Sequence, residues 1–147
     1  MIALDTNVLV RFLTGDDPEQ QADASALLNR LTPTEPGFVA REVVLELVWV
    51  LRRGYGLSRQ QIAEILAELL ETRGLLFEEA TDVAHAAAGY ERGGPEFADR
   101  MILAVAKRTG AVPLFTLDHG LAGIRGAAAV PRAPVRAMPS TDAAPAD

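Results

Sequence analysis

The chain has 147 residues, 49% of them hydrophobic and 23% charged, with no cysteine and a formal net charge of −6. That size describes one ordinary globular domain, able to bury roughly 68 to 70% of the surface of its unfolded form without covalent staples. Disulfides, thiolate metal sites and cysteine nucleophiles are excluded. Only His85 and His119 supply imidazole, so any metal is expected on carboxylates, which suit magnesium or manganese.

Ile2 to Leu4 reads as a short strand that leads directly into Asp5, Thr6 and Asn7. Asp17, Pro18 and Gln20 supply an N-cap, a proline at the first helical position and a capping-box glutamine. A second strand is predicted over Gly37 to Ala40. The helix REVVLELVWVLRR follows it and places Glu42 and Glu46 four apart, on one face. Glu46 stands among Val43, Val44, Leu45, Leu47, Val48, Trp49 and Val50, a setting that is costly for a carboxylate unless a cation or donor meets it.

Ser58 and Gln61 open another helix, with Ile62, Ile65, Leu66 and Leu69 spaced along one face. Leu75 to Phe77 reads as the third strand. Thr81 and Asp82 start an alanine-rich helix that reaches about Tyr90, and Gly93, Gly94 and Pro95 separate it from one running from about Glu96 to Thr109. Lys107, Arg108 and Gly110 are ordinary signals for that helix's end. Pro113 to Thr116 is the fourth strand, followed by Leu117 and Asp118, and a weaker fifth lies near Ala128 to Val130. From about Pro131 the composition turns to Pro, Ala and Ser, which predicts a partly disordered tail over 131–147, mobile at least beyond Met138. Short unalternating apolar runs between helices predict an α/β domain with buried parallel strands. Asp5 and Asp118 then fall beyond the carboxyl ends of strands, where ligands of open parallel sheets bind.

Each acid also has an ordinary structural explanation. An aspartate after a strand caps a helix, and Glu96 and Asp99 complement the dipole of a first turn. Asp99 nevertheless shares its face with Leu103 and Ala106, so that face is not simply solvated. Acids gathered from several segments raise one another's proton affinity until a divalent cation removes the conflict. Two such ions, about 3.5 to 4 Å apart, activate a water and stabilise both oxygens of an in-line phosphoryl displacement. The residues therefore suggest metal-dependent phosphodiester hydrolysis. A net charge of −6 argues against holding nucleic acid by bulk positive charge. Yet taking four carboxylates out of that total leaves −2 on a remainder with thirteen arginines and Lys107.

LDTNVLVRFL at 4–13, FVAREVVLELVWVLRR at 38–53, EFADRMILAVAKRTGA at 96–111 and LFTLDHGLAGI at 114–124 occur in the order and spacing of a known family. Across about residues 1–130 the chain resembles the PIN-domain ribonucleases, and within them the VapC-like toxins of toxin-antitoxin pairs. The resemblance implies a three-layer α/β/α sandwich with a mostly parallel central sheet, and an acidic catalytic site of Asp5, Glu46, Asp99 and Asp118. In it Asp5, Asp99 and Asp118 would hold Mg2+ or Mn2+. Thr6, Asn7 and Thr116 would orient carboxylates or waters around them. Glu42 competes with Glu46, and the family's Glu-Leu step before an apolar helix favours Glu46. Glu96 stands where relatives often carry aspartate, as an auxiliary contact.

The implied partners are an RNA substrate, a small cognate antitoxin protein and a second copy in a homodimer. Arg11, Arg52, Arg53, Arg100 and Lys107 are candidate phosphate contacts. The apolar stretch Val43 to Leu51 and the helix bearing Ile62 and Leu66 are expected to contribute a dimer or antitoxin groove. No apolar run approaches the roughly 18 residues needed to cross a bilayer and the start MIALD lacks a basic leader, so a cytoplasmic protein is expected.

A dehalogenase-like phosphatase would need a second acid where Asn7 stands. A receiver domain would need a lysine after a late strand, whereas Lys107 falls within a helix, and no GxSxG occurs. A non-catalytic PIN-like domain that binds RNA or protein remains as an alternative, as does another magnesium-dependent phosphohydrolase.

Overall fold

The computed structural model describes residues 1–134. Five strands alternate with seven helices: β1 (Ile2–Ala3), α1 (Thr6–Thr14), α2 (Pro18–Leu28), β2 (Gly37–Val39), α3 (Arg41–Trp49), α4 (Arg59–Glu71), β3 (Leu75–Phe77), α5 (Ala80–Glu91), α6 (Phe97–Thr109), β4 (Leu114–Thr116), α7 (His119–Ala122) and β5 (Ala127–Ala129). Residues 131–134 carry no regular element, and the remainder of the predicted tail lies outside the described residues. None of the described helices is long and apolar enough to cross a membrane.

The fold is α/β and every strand pair is parallel, as predicted. Hydrogen bonding joins β1, β2 and β3 in that order and β4 to β5 as a second group. β2 is central: Gly37 pairs with Ile2 on one side and Leu75 on the other. A side chain at residue 37 would meet Leu31 Cδ1 at 2.7 Å and Leu4 Cδ1 at 2.8 Å, which is why glycine stands there. The expectation of fully buried strands fails outside this centre. Both residues of β1 are exposed, and Phe115 of β4 is 56% exposed, because these strands are two or three residues long with neighbours on one side only.

Helix α3 does not run on as an α-helix to Arg53. Its end widens into a π-helical turn, Val50–Gly54, closed by the Tyr55 N–H donating to the Val50 carbonyl at 3.3 Å. Leu51 stays buried while Arg52 and Arg53 face solvent. Val44, Leu47, Val48, Leu51, Ile62 and Leu66 all belong to one buried core with Leu9, Val39, Val83, Tyr90, Phe97 and Met101. Of the hydrocarbon expected to contribute in part to a groove on Val43 to Leu51 and on the helix of Ile62 and Leu66, these side chains fill the domain's own interior, while Val43, Leu45, Val50 and Ile65 stay partly exposed. Trp49, at 64% exposure, is the large exception.

Two arginines join the helices. The Arg59 guanidinium lies 4.4 Å from the centre of the Tyr90 ring and donates to the Tyr90, Gly94 and Pro95 carbonyls, so α4 is tied to the α5–α6 connection. Arg41 pairs with Asp82 at 3.1 Å and donates to the Met101 carbonyl at 3.0 Å, joining α3 to α5 and α6. The Arg41 backbone N–H in turn donates to Glu78 at 2.9 Å. N-cap Ala40 has no side chain able to cap α3, and a carboxylate just past β3 does so instead.

Asp16, between α1 and α2, accepts hydrogen bonds from Tyr55 Oη at 2.6 Å, Thr14 Oγ1 at 2.9 Å and Arg11 at 2.8 Å. Those donors, led by Tyr55 and Thr14, bring its carboxyl down from the ordinary 3.8 to about 2. A depressed carboxylate contributes stability above its unfolded pKa and loses it as pH falls through the folded value. The melting temperature should therefore fall between about pH 4 and pH 2, and Asp16→Asn should flatten that part of the profile. Equal slopes for parent and variant in acid thermal scans would show that this cluster does not contribute.

Candidate active site

Asp5 follows β1 and caps α1: its Oδ1 accepts the Thr6 N–H at 2.8 Å. Thr6 itself is buried, and its Oγ1 donates to Glu46 Oε2 at 2.8 Å across 40 residues of sequence. The first and second motifs are thereby brought together at one hydroxyl. Glu46 is exposed, contrary to its reading as a carboxylate embedded in hydrocarbon. The apolar neighbours Val44, Leu47 and Val48 occupy the buried side of α3, so their adjacency in sequence is not adjacency in space.

Asp99, half-buried in the first turn of α6, accepts the Glu96 N–H on Oδ2 at 3.2 Å. Asp118 caps α7 by accepting the Leu121 N–H on Oδ1 at 2.7 Å, and its own N–H donates to Thr116 Oγ1 at 3.0 Å. The structural explanation of each acid is thus correct. It is also incomplete. Asp5 Oδ2, Glu46 Oε1, Asp99 Oδ1 and Asp118 Oδ2 have no hydrogen-bond partner among the described residues, so each carboxylate anchors itself through one oxygen and keeps another.

The remaining candidates separate. Thr6 and Thr116 fix Glu46 and the Asp118 backbone respectively. Glu96 pairs with Arg59 at 2.8 Å, which commits it to the fold. Glu42 is exposed, with no hydrogen bond or ion pair among the described residues. Asn7 lines a cleft of about 450 Å³ between α1 and α2, together with Val8, Arg11, Gln20 and Asp23. Of the basic candidates, Arg11 is held by Asp16 and Gln20 and Arg52 donates to the Leu57 carbonyl.

The donor set is all carboxylate oxygen, which fits a hard divalent cation in kind. Among the described residues no three of these side chains stand close enough to form a cage around one ion. Magnesium needs no such cage: it keeps several waters and takes one or two carboxylates together with substrate phosphate. The free oxygens suit that open arrangement.

A PIN domain family model matches residues 2–127, which spans all four acids. The chain belongs to the PIN domain family. It is also similar to a VapC ribonuclease of Aquifex aeolicus (strain VF5), 29% identical over 110 residues that cover 75% of this chain and 82% of that relative. The parallel α/β fold agrees with the family assignment.

The two roles of each acid can be separated by substitution. In this PIN domain Asp5→Asn should leave the melting temperature nearly unchanged, since asparagine caps a helix as well as aspartate. Asp5→Ala should cost about 1 kcal/mol. Thr6→Val should cost about 0.5 to 1.5 kcal/mol through the lost bond to Glu46. Denaturant titrations of the three variants check this, and equal losses for Asp5→Asn and Asp5→Ala would mean that capping is not what Asp5 does.

Proposed function

We propose that this protein is a metal-dependent endoribonuclease and the toxin of a toxin-antitoxin pair. The observation that carries this reading is the unpartnered oxygen on each of Asp5, Glu46, Asp99 and Asp118, in a chain similar to a VapC ribonuclease. Asp5, Asp99 and Asp118 would hold Mg2+ or Mn2+, one or two of them on any one ion, with waters and substrate phosphate supplying the rest. When bound, the ion supplies positive charge against an RNA phosphodiester and acidifies a water for in-line attack.

The chain's own residues set the stage for that step. Thr6 orients Glu46 by donating to one of its oxygens, so the other is presented as a ligand or as an acceptor that aligns water. Thr116 fixes the backbone that carries Asp118. The caps at Asp5, Asp99 and Asp118 restrict each carboxylate to a narrow set of rotamers, which lowers the entropy lost when it engages a ligand. The same free oxygens can accept charge-assisted hydrogen bonds from an arginine, and an antitoxin peptide that inserts one would inhibit by occupying them. A homodimer is part of this reading; exposed Trp49, Phe115 and Leu117 supply apolar surface for it.

Purified protein should cut single-stranded RNA with magnesium or manganese and not in EDTA. Asp5→Asn, Glu46→Gln, Asp99→Asn and Asp118→Asn should each lose at least about a hundredfold in rate, the scale of removing one group that stabilises developing charge. Glu42→Gln should stay within a few-fold of the parent. Unchanged cleavage by Asp99→Asn would overturn the assignment. Manganese should raise the parent's melting temperature and raise that of Asp99→Asn less.

A further inference from the structure

A second feature lies on α5 and α6. A cleft of about 440 Å³ is lined by Asp82, His85, Arg100, Lys107 and Arg108, with Leu103 and Ile124 among its apolar walls. Three permanent cations and one carboxylate line it, in a protein whose total charge is −6, and of the three Arg108 is already paired with Asp82 and with Glu79 at 3.5 Å. That carboxylate, Asp82, is already matched by Arg41 at 3.1 Å and Arg108 at 3.3 Å. Lys107 and His85 have no partner among the described residues and are exposed. A helix's last turn favours lysine and arginine, which accounts for Lys107 and Arg108 but not for His85 on α5 or Arg100 at the other end of α6.

Two glycines make room for this arrangement. A Cβ at Gly89 of α5 would collide with the Arg100 guanidinium, and a Cβ at Gly126 would meet Lys107 Cε at 2.6 Å. Arg100 is held by the Gly93 carbonyl at 2.7 Å and the Pro95 carbonyl at 3.2 Å, which leaves other guanidinium hydrogens for a ligand. The cations are therefore seated on the fold rather than scattered over its surface.

We propose that this cleft is a track for the RNA backbone, in which Lys107 and His85, with Arg100 behind them, bind phosphates that extend away from Asp99. The proposal rests on the nuclease reading above and deepens it. Arg100 directly follows Asp99, and α6 carries the track on to Lys107, about 10 Å along the helix axis. Phosphate contacts of this kind position a strand without reading its sequence, so the track sets affinity and orientation and leaves base choice to other groups.

The test uses the full chain in EDTA and a fluorescent single-stranded DNA of about twelve nucleotides, which carries the phosphates but is not cut. Parent affinity should fall steeply with salt. Lys107→Gln, which keeps part of the stem lying on Gly126, should weaken binding on the order of fivefold at low salt and reduce the slope of log K against log salt by about 0.7, the value for one single-strand phosphate contact. Adding His85→Gln should weaken it further, and Arg73→Gln, an exposed charge outside the cleft, should change little. With RNA and manganese, Lys107→Gln should raise KM and leave kcat unaltered.

Parent-like affinity and slope in the Lys107 variant would overturn the track even if RNA is cut. So would failure to bind the oligonucleotide while a short poly-glutamate peptide binds, which would mark the cleft as a protein-docking site. If the binding pattern holds and no RNA is cut under any metal condition, the track stands and the nuclease reading fails.

Discussion

The Arg41 guanidinium fixes the frame on which the acids are displayed. It begins α3, the helix that carries Glu46, and reaches both Asp82 on α5 and the Met101 carbonyl on α6, the helix that carries Asp99. Both members of the Arg41–Asp82 pair are about 15% exposed, so the pair is screened less than a surface ion pair. Its geometry is completed from a third direction, since the Arg41 N–H is received by Glu78 just beyond β3. Sheet, α3 and the two helices of the basic cleft thus meet at one residue. Asp82 takes part in both regions: its Oδ2 accepts from Arg41 and from Arg108 of the cleft.

Much of this was legible in the sequence because it depends on local chemistry. Asp17 and Ser58 cap their helices as the motifs predict, each accepting the N–H three residues on. The five strands fall within a residue or so of their expected positions, including the weak alanine strand, which forms as Ala127–Ala129 beside β4. The candidate acids stood out for other reasons: Asp5 and Asp118 precede helices that they cap, Asp99 lies in a first turn, and Glu46 interrupts an apolar run inside α3.

What remained illegible was non-local. Nothing around Ala40 signals that its helix is capped from Glu78, 38 positions later. Nothing around Glu46 reveals that Thr6 is its partner, because the pairing depends on where α1 crosses α3. Hydrocarbon adjacent in sequence made Glu46 look buried, and the 3.6-residue period turned that hydrocarbon to the opposite side. A surplus of apolar residues on α3 and α4 suggested a docking groove because sequence cannot count how many neighbours each side chain finds. The core absorbed Ile62 and Leu66 completely.

Capping has a consequence for how such a protein can change over generations. An aspartate that divides its two oxygens between a helix terminus and a ligand can be replaced by asparagine with little effect on folding, because the amide oxygen still accepts the cap bond. Under the proposed function, the lost negative charge removes the reason for a dication to settle there, and folding and cutting are under separate selection at a single side chain. A lineage freed from the need to cut would keep a folded domain with its basic cleft intact, and that descendant would compete for the same strands as its active relative.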